Sequence, residues 1–162
     1  MNPYIVVEEF EKKLSDYTGA PYVACVDSCT NAIFLICKRL GVEKTLLPKH
    51  TYLSIPMSVI HSGGEVEFED REWKGMYQLK PYPIWDSAKR LKRDMYIKGS
   101  YIGLSFHILK HIPIGKGGAI LCDNKEDYEW FKKARYEGRT FGMSYHDDEL
   151  DFCGWNMYMT PE

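Results

Sequence analysis

The sequence predicts an α/β domain, three layers (α/β/α) around a mostly parallel central sheet, and three observations carry that expectation. YVACVD (22–27) is an apolar run of strand length, and SCTNAIFLICKRL (28–40) follows it with helical spacing up to Gly41. The alternation then recurs through TLLP (45–48), TYLSIPMSVIHS (51–62) and EVEFED (65–70), and two crossovers in succession call for parallel strands. The chain of 162 residues is 44% hydrophobic and 14% aromatic, enough to fill one core, so residues 1–162 are expected to form a single domain.

The elements are justified in order. PYIVVEEFEKKLSDY (3–17) carries apolar residues at helical intervals, with Asn2-Pro3 as cap and first helical residue and Gly19 just past its end. After the two crossovers, REWKGMYQLKPYP (71–83) has no helical period and is expected to be an irregular or hairpin connection. PIWD (83–86), SYIGLSF (100–106) and GGAILCD (117–123) read as strands, and KEDYEWFKKARYEG (125–138) as a helix stopped by glycine. The tail from Arg139 to Glu162 is polar and aromatic without a period.

Composition excludes several function classes. A net charge of -2 supplies no electrostatic footprint for nucleic acid or anionic lipid, which need clustered Lys and Arg. The run Lys89, Arg90, Lys92, Arg93 is the local exception, read as a solvated face or a seat for an anion. No apolar run approaches the ~20 residues that span a bilayer. Five cysteines, without a C-x-x-C pair or a secretory leader, read as reduced thiols, so a cytoplasmic location is expected.

The motifs narrow the chemistry. Gly115-Lys116-Gly117-Gly118 fails as a nucleotide phosphate loop, because Lys110 and Gly117 stand where a glycine and a Ser or Thr are required. Ile120 breaks the dinucleotide fingerprint. His107 and His111 are four apart, but Pro and Gly downstream argue against a helix and no glutamate completes a zinc protease pattern. His146, Asp147, Asp148 and Glu149 read as a solvated loop, and no metal site is expected.

The turn Asp27-Ser28-Cys29-Thr30-Asn31 passes from strand to helix, where free N–H groups with Thr and Asn side chains suit a phosphate; simple N-capping by Ser28 or Thr30 is the alternative. Asp86 ends a strand at the same edge, as either a site acid or a turn residue. The ordered set is a phosphate cup, Tyr52 at the head of a helix, Asp86, Ser105 and Lys110. Pyridoxal 5'-phosphate needs such a set: a lysine amine for the Schiff base, an acid to keep the pyridine nitrogen protonated, and a helix terminus for the phosphate.

On these residues the chain resembles the DegT/DnrJ/EryC1/StrS family of sugar aminotransferases that use pyridoxal phosphate. SFHILKHIPIGKGGAI (105–120) resembles the family's S-F-H-x-x-K…G-E-G-G-A segment, which gives Lys110 the cofactor. SCTNA (28–32) resembles S-G-T-x-A, implicating Thr30 and Asn31 in phosphate binding, and HTYLS (50–54) makes Tyr52 the aromatic that stacks on the ring. WDSAK (85–89) resembles E-D-A-A-Q, placing Asp86 at the ring nitrogen and Lys89 where the family has Gln or His near the 3-hydroxyl. Ser105 corresponds to a phosphate contact. GWNMYMT (154–160) resembles G-x-N-Y-R-M-S, in which the asparagine, here Asn156, reaches the phosphate of the neighbouring subunit.

The resemblance implies a reduced version of the fold type I large domain, without the helix, strand and loop that relatives insert between Asp70 and Asp86 and without their C-terminal small domain. It further implies a homodimer that moves an amino group from glutamate or glutamine to a nucleotide-linked keto sugar, with Lys110 and Asp86 as catalytic residues. A catalytically degenerate subunit that binds ligand or assembles with a longer partner is the other reading.

Overall fold

The computed structural model describes residues 4–162 of the chain, so the expected cap Asn2 and first helical residue Pro3 lie outside the described residues. Apolar residues alternate along the strands, and both faces are covered. Ala24, Val26, Ile120 and Cys122 point to one side, against helix α2 (Cys29–Leu40) and helix α4 (Lys125–Ala134). Val23, Cys25, Ala119 and Leu121 point to the other, where Val7 and Leu14 of α1 (Ile5–Thr18) meet them. This is the three-layer arrangement expected from the alternating strands and helices.

The strands are β1 (Tyr22–Val26), β2 (Lys44–Pro48), β3 (Glu65–Glu69), β4 (Tyr77–Leu79), β5 (Ile84–Asp86), β6 (Tyr101–Ser105) and β7 (Gly118–Cys122), with α3 (Ser54–His61) between β2 and β3. Five of them form one sheet in the order β1-β7-β6-β5-β4. Here the expectation of a mostly parallel sheet is corrected: β1–β7, β7–β6 and β5–β4 pair antiparallel, and only β5–β6 is parallel in this sheet. The reason lies in the connections. β6 returns as β7 through a loop without a crossover helix, and β4 runs into β5 across a short turn, so each pair folds back on itself. The β2-α3-β3 crossover does give parallel strands, but as a separate two-stranded sheet, joined to the end of β4 through a Leu46–Lys80 bridge.

Strand direction nonetheless matters more for the site than pairing type. Because β7 runs opposite to both neighbours, β1 and β6 point the same way, and β5 joins them. Their carboxyl ends, Val26, Ser105 and Asp86, therefore share one edge, with Val26 and Ser105 both in register with Gly118. Among the described residues no helix is long and apolar enough to cross a membrane.

A buried ion network ties the outer layers to β1. Glu11 on α1 accepts from Cys25 N at 2.8 Å, and its two oxygens lie 2.5 Å from Arg135 Nη1 and 2.8 Å from Lys132 Nζ. Arg135 also donates to the Cys25 carbonyl. Burial pushes the Glu11 carboxyl up, but Arg135, Lys132 and the Cys25 N–H outweigh it and hold it below its ordinary 4.5. Glu11→Ala leaves the Arg135 guanidinium buried without a counter-charge and should cost roughly 3–5 kcal/mol in urea unfolding at pH 7. Since the folded carboxyl is the more acidic, its contribution is present above pH 4.5 and is lost as pH falls below that value, so the wild-type and variant stabilities should converge in acid.

Candidate active site

The carboxyl edge of the sheet opens into a cavity of about 670 Å³ whose walls include Ser28, Cys29, Thr30, Thr51, Tyr52, Asp86, Lys89, Ser105 and Lys110. That volume suits a cofactor-sized ligand. One wall is the start of α2. Ser28 caps the helix by accepting from Asn31 N at 3.1 Å, and the first intrahelical bond runs from Ala32 N to Ser28 O at 3.0 Å. The N–H groups of Cys29 and Thr30 precede that bond and have no acceptor within the helix. With the helix dipole they make the wall attractive to an anion.

This helix start sits unusually close to the sheet because two strand positions lack side chains. A Cβ on Gly118 would stand 2.4 Å from the Ser28 carbonyl carbon and 2.5 Å from Cys29 N. A Cβ on Gly103 would stand 2.9 Å from Ile33 Cδ1 and 3.3 Å from Cys29 Sγ. Hydroxyls then extend the wall: Thr30 Oγ1 donates to Ser54 Oγ at 2.9 Å, and Ser58 Oγ donates to Thr30 O at 3.0 Å, fastening α3 to α2.

Asp86 forms the floor. It is 5% exposed, and its Oδ1 accepts from Ala88 N at 2.9 Å. Burial raises its pKa, against the opposing pull of Ala88 N–H, the Tyr77 hydroxyl, Lys110 and Cys29. Lys110 thus lies close enough to act on the acid across the cavity. It is half-buried on the β6–β7 loop, where its N–H donates to His107 O at 2.8 Å.

Six of the eight residues singled out in the sequence line this one cavity: Thr30, Tyr52, Asp86, Lys89, Ser105 and Lys110. Asn31 does not; its amide is occupied by Asp27 Oδ1 at 2.7 Å, which braces the turn instead. Asn156 is exposed away from the cavity and donates to Glu137 Oε1 at 2.7 Å. Of the basic run, only Lys89 reaches the cavity, its Nζ lying 5.3 Å from the centre of the Trp73 ring. Arg93 covers Tyr17, and the Arg90 stem lies against Gly75. His107 is on the wall with Nδ1 accepting from Leu109 N, and no group of three or more His, Cys, Asp or Glu able to hold a metal comes together among the described residues.

Four contributors were not among the residues singled out for the site in the sequence. Trp73 donates from Nε1 to His50 O at 2.8 Å and packs on Tyr77 at 4.7 Å, both within the segment 71–83 that lacks a period. Tyr77 and Thr51 share a short hydroxyl contact. Cys29 points its thiol at Asp86. The nearest hint was the departure at Cys29 from the glycine of S-G-T-x-A.

The architecture and the site together define a class: an α/β domain presenting a lysine, a buried acid and a helix-terminal anion cradle at one sheet edge. The chain belongs to the DegT/DnrJ/EryC1/StrS aminotransferase family, whose sequence model matches residues 2–84. It is 23% identical, over an alignment of 197 residues, to a UDP-4-amino-4,6-dideoxy-N-acetyl-beta-L-altrosamine transaminase of Campylobacter jejuni (strain 81-176), covering 93% of this chain and 52% of that protein. Among solved structures it resembles AtS13 from Actinomadura melliaura (TM-score 0.84, 19% identity, 96% of this chain and 56% of that one). It also resembles NtdA from Bacillus subtilis, solved with bound cofactor PMP (TM-score 0.80, 20% identity, 96% and 45%). The chain therefore spans about half the length of these relatives.

The cradle makes a direct prediction. Gly118→Ala forces the start of α2 off the sheet and should cost roughly 1–3 kcal/mol. Amide exchange at Asn31 and Ala32 should accelerate while α4 is unchanged, as read by hydrogen exchange with thermal melting alongside.

Proposed function

We propose that this chain binds pyridoxal 5'-phosphate at the carboxyl edge of its sheet and transfers an amino group from glutamate or glutamine to a keto sugar. The observation that carries the reading is the convergence of Lys110, Asp86 and the first turn of α2 on one cavity. The residues suit the group. A buried carboxylate with no ion-pair partner within 4.0 Å among the described residues fits a protonated ring nitrogen, and uncommitted N–H groups beside Thr30 fit a phosphate.

Bound pyridoxal phosphate supplies an aldehyde that a primary amine captures and a ring that accepts the electron pair left when a proton leaves the donor's α-carbon. The chain supplies the rest. Thr30, Ser105 and the N–H groups of Cys29 and Thr30 hold the phosphate. Tyr52 covers the ring face, and Asp86 keeps the ring nitrogen protonated. Lys110 Nζ would hold the cofactor's aldehyde and, as a free amine, would take a proton from the donor's α-carbon and return one to the acceptor carbon. Asn156, outside its own cavity, serves the phosphate of a second copy in a homodimer, which requires it to exchange its bond with Glu137.

The acceptor is a nucleotide-linked keto sugar, a class supported by the named activity of the Campylobacter relative. Residues 1–162 constitute the cofactor-binding large domain. The open side of the cavity, where Tyr52 is 70% and Leu109 84% exposed, favours one second reading: a subunit that holds cofactor but turns over only with a longer partner.

Borohydride reduction in the presence of the cofactor, followed by peptide mass spectrometry, should fix the vitamin B6 mass on the peptide containing Lys110, and Lys110→Ala should carry none. Lys110→Ala should also slow turnover by at least ~100-fold, because it removes the group that moves the proton. Wild-type protein that never retains the cofactor contradicts the proposal, and retention without turnover by the isolated chain selects the second reading.

A further inference from the structure

Asp86 is surrounded by more donors than a contact with a ring nitrogen alone requires. Besides Ala88 N, it faces Cys29 Sγ at 3.9 Å from α2 and the Tyr77 hydroxyl from β4, while Lys110 faces it from the β6–β7 loop. An ionised carboxylate only accepts, so the single hydrogen of Tyr77 goes to Asp86 and the thiol hydrogen of Cys29 does likewise. The oxygen of Tyr77 is then free to accept from Thr51 Oγ1, its short-contact partner. With Asp86 ionised, the hydrogens would run in one direction, from Thr51 to Tyr77 to Asp86.

The packing keeps each donor in place. Tyr77 is directly across from Asp86 in the β4–β5 register and is 2% exposed, with its ring against Trp73. Cys29 is the first residue of a capped helix, and its sulfur occupies the space left by Gly103, the residue in register with Asp86 on β6. Among the described residues, the Cys29 thiol has no hydrogen-bond acceptor besides Asp86, and the Tyr77 hydroxyl has no side-chain hydrogen-bond partner besides Asp86 and Thr51. Thr51 is beside Tyr52 on the cavity wall, so the chain of hydrogens also links the ring-covering loop to the acid.

We propose that Cys29 and Tyr77, with Thr51 acting through Tyr77, are positioning residues that hold Asp86 as an anion aimed into the cavity. The inference rests on the reading that the cavity takes pyridoxal phosphate, because that cofactor's ring nitrogen keeps its proton only against a charged acid. Burial raises the Asp86 pKa and favours the neutral acid, and the donors oppose that rise. A neutral Asp86 would have no means of holding the ring proton, so the donors decide whether the acid can perform its part.

The test uses the full chain without cofactor: a carbon-13 NMR pH titration of labelled aspartate carboxyls, with Asp86 assigned by its absence in Asp86→Asn. Removing a donor to the ionised form raises the midpoint. Tyr77→Phe should raise it by roughly one pH unit and Cys29→Ala by a few tenths, the thiol being the weaker donor. Thr51→Val should raise it when Tyr77 is present and do nothing in Tyr77→Phe, a pattern that general loosening of the fold does not produce. Cys29→Ser keeps a donor and should leave the midpoint at or below the wild-type value, which covers the case of Cys29→Ala failing to fold. Unmoved midpoints in Tyr77→Phe and Cys29→Ala, or equal Thr51→Val shifts in both backgrounds, overturn the inference. Because no cofactor is present, that failure is separate from a failure of the chain to bind pyridoxal phosphate.

Discussion

The site depends on one close approach: the first turn of α2 resting on bare backbone at Gly118 and Gly103. At 2.4–2.5 Å, a Cβ at position 118 would overlap the Ser28–Cys29 peptide, so no side chain but hydrogen is compatible with this seat. The approach brings the free N–H groups of α2 level with the strand ends that carry Asp86 and Ser105, and lowers the Cys29 thiol onto the acid. Were the helix one side-chain layer higher, the anion cradle and the acid would belong to different surfaces. The seat also explains why the antiparallel β7 does no harm to the site, since its contribution there is an absent side chain.

Charge is distributed unevenly around the cavity. The floor holds a buried carboxylate opposed by Lys110, where water is scarce and a partner cation counts for much. The rim holds exposed groups: Lys116 lies 3.7 Å from Asp27 with its side chain 77% exposed, a contact worth little in water. Among the described residues no carboxylate pairs with Lys89 within 4.0 Å, and its Nζ lies over the Trp73 ring instead. A ligand with a cationic ring edge and an anionic tail would match this arrangement, the edge on Asp86 and the tail at α2.

Much of this was legible in the sequence because the strongest signals are local. β1 and α2 show their periods within twenty residues, and Asp86, Ser105 and Lys110 announce themselves by ending or following strands. Pairing direction was not legible: the crossover pattern through β3 reads as parallel, whereas β6 turns back into β7 through a loop without a crossover helix, and strand periodicity does not report that return. β4 has only three residues and exists because β5 pairs with it, so Tyr77 and the neighbouring Trp73 gave no periodic signal. Asn31 was legible as part of a phosphate turn, but the Asp27 carboxylate claims its amide. Thr51 and Cys29 act through contacts across 26 and 57 residues of sequence, beyond the reach of any local pattern.

A crystal structure of the chain grown with pyridoxal phosphate tests the central claim most directly. The account predicts electron density for the ring between Lys110 and Asp86, continuous with Lys110 Nζ, with the ring nitrogen in hydrogen-bond contact with the Asp86 carboxylate and the phosphate at the start of α2. Density for the cofactor elsewhere, or a ring in this cavity turned so that its nitrogen faces away from Asp86, would contradict it.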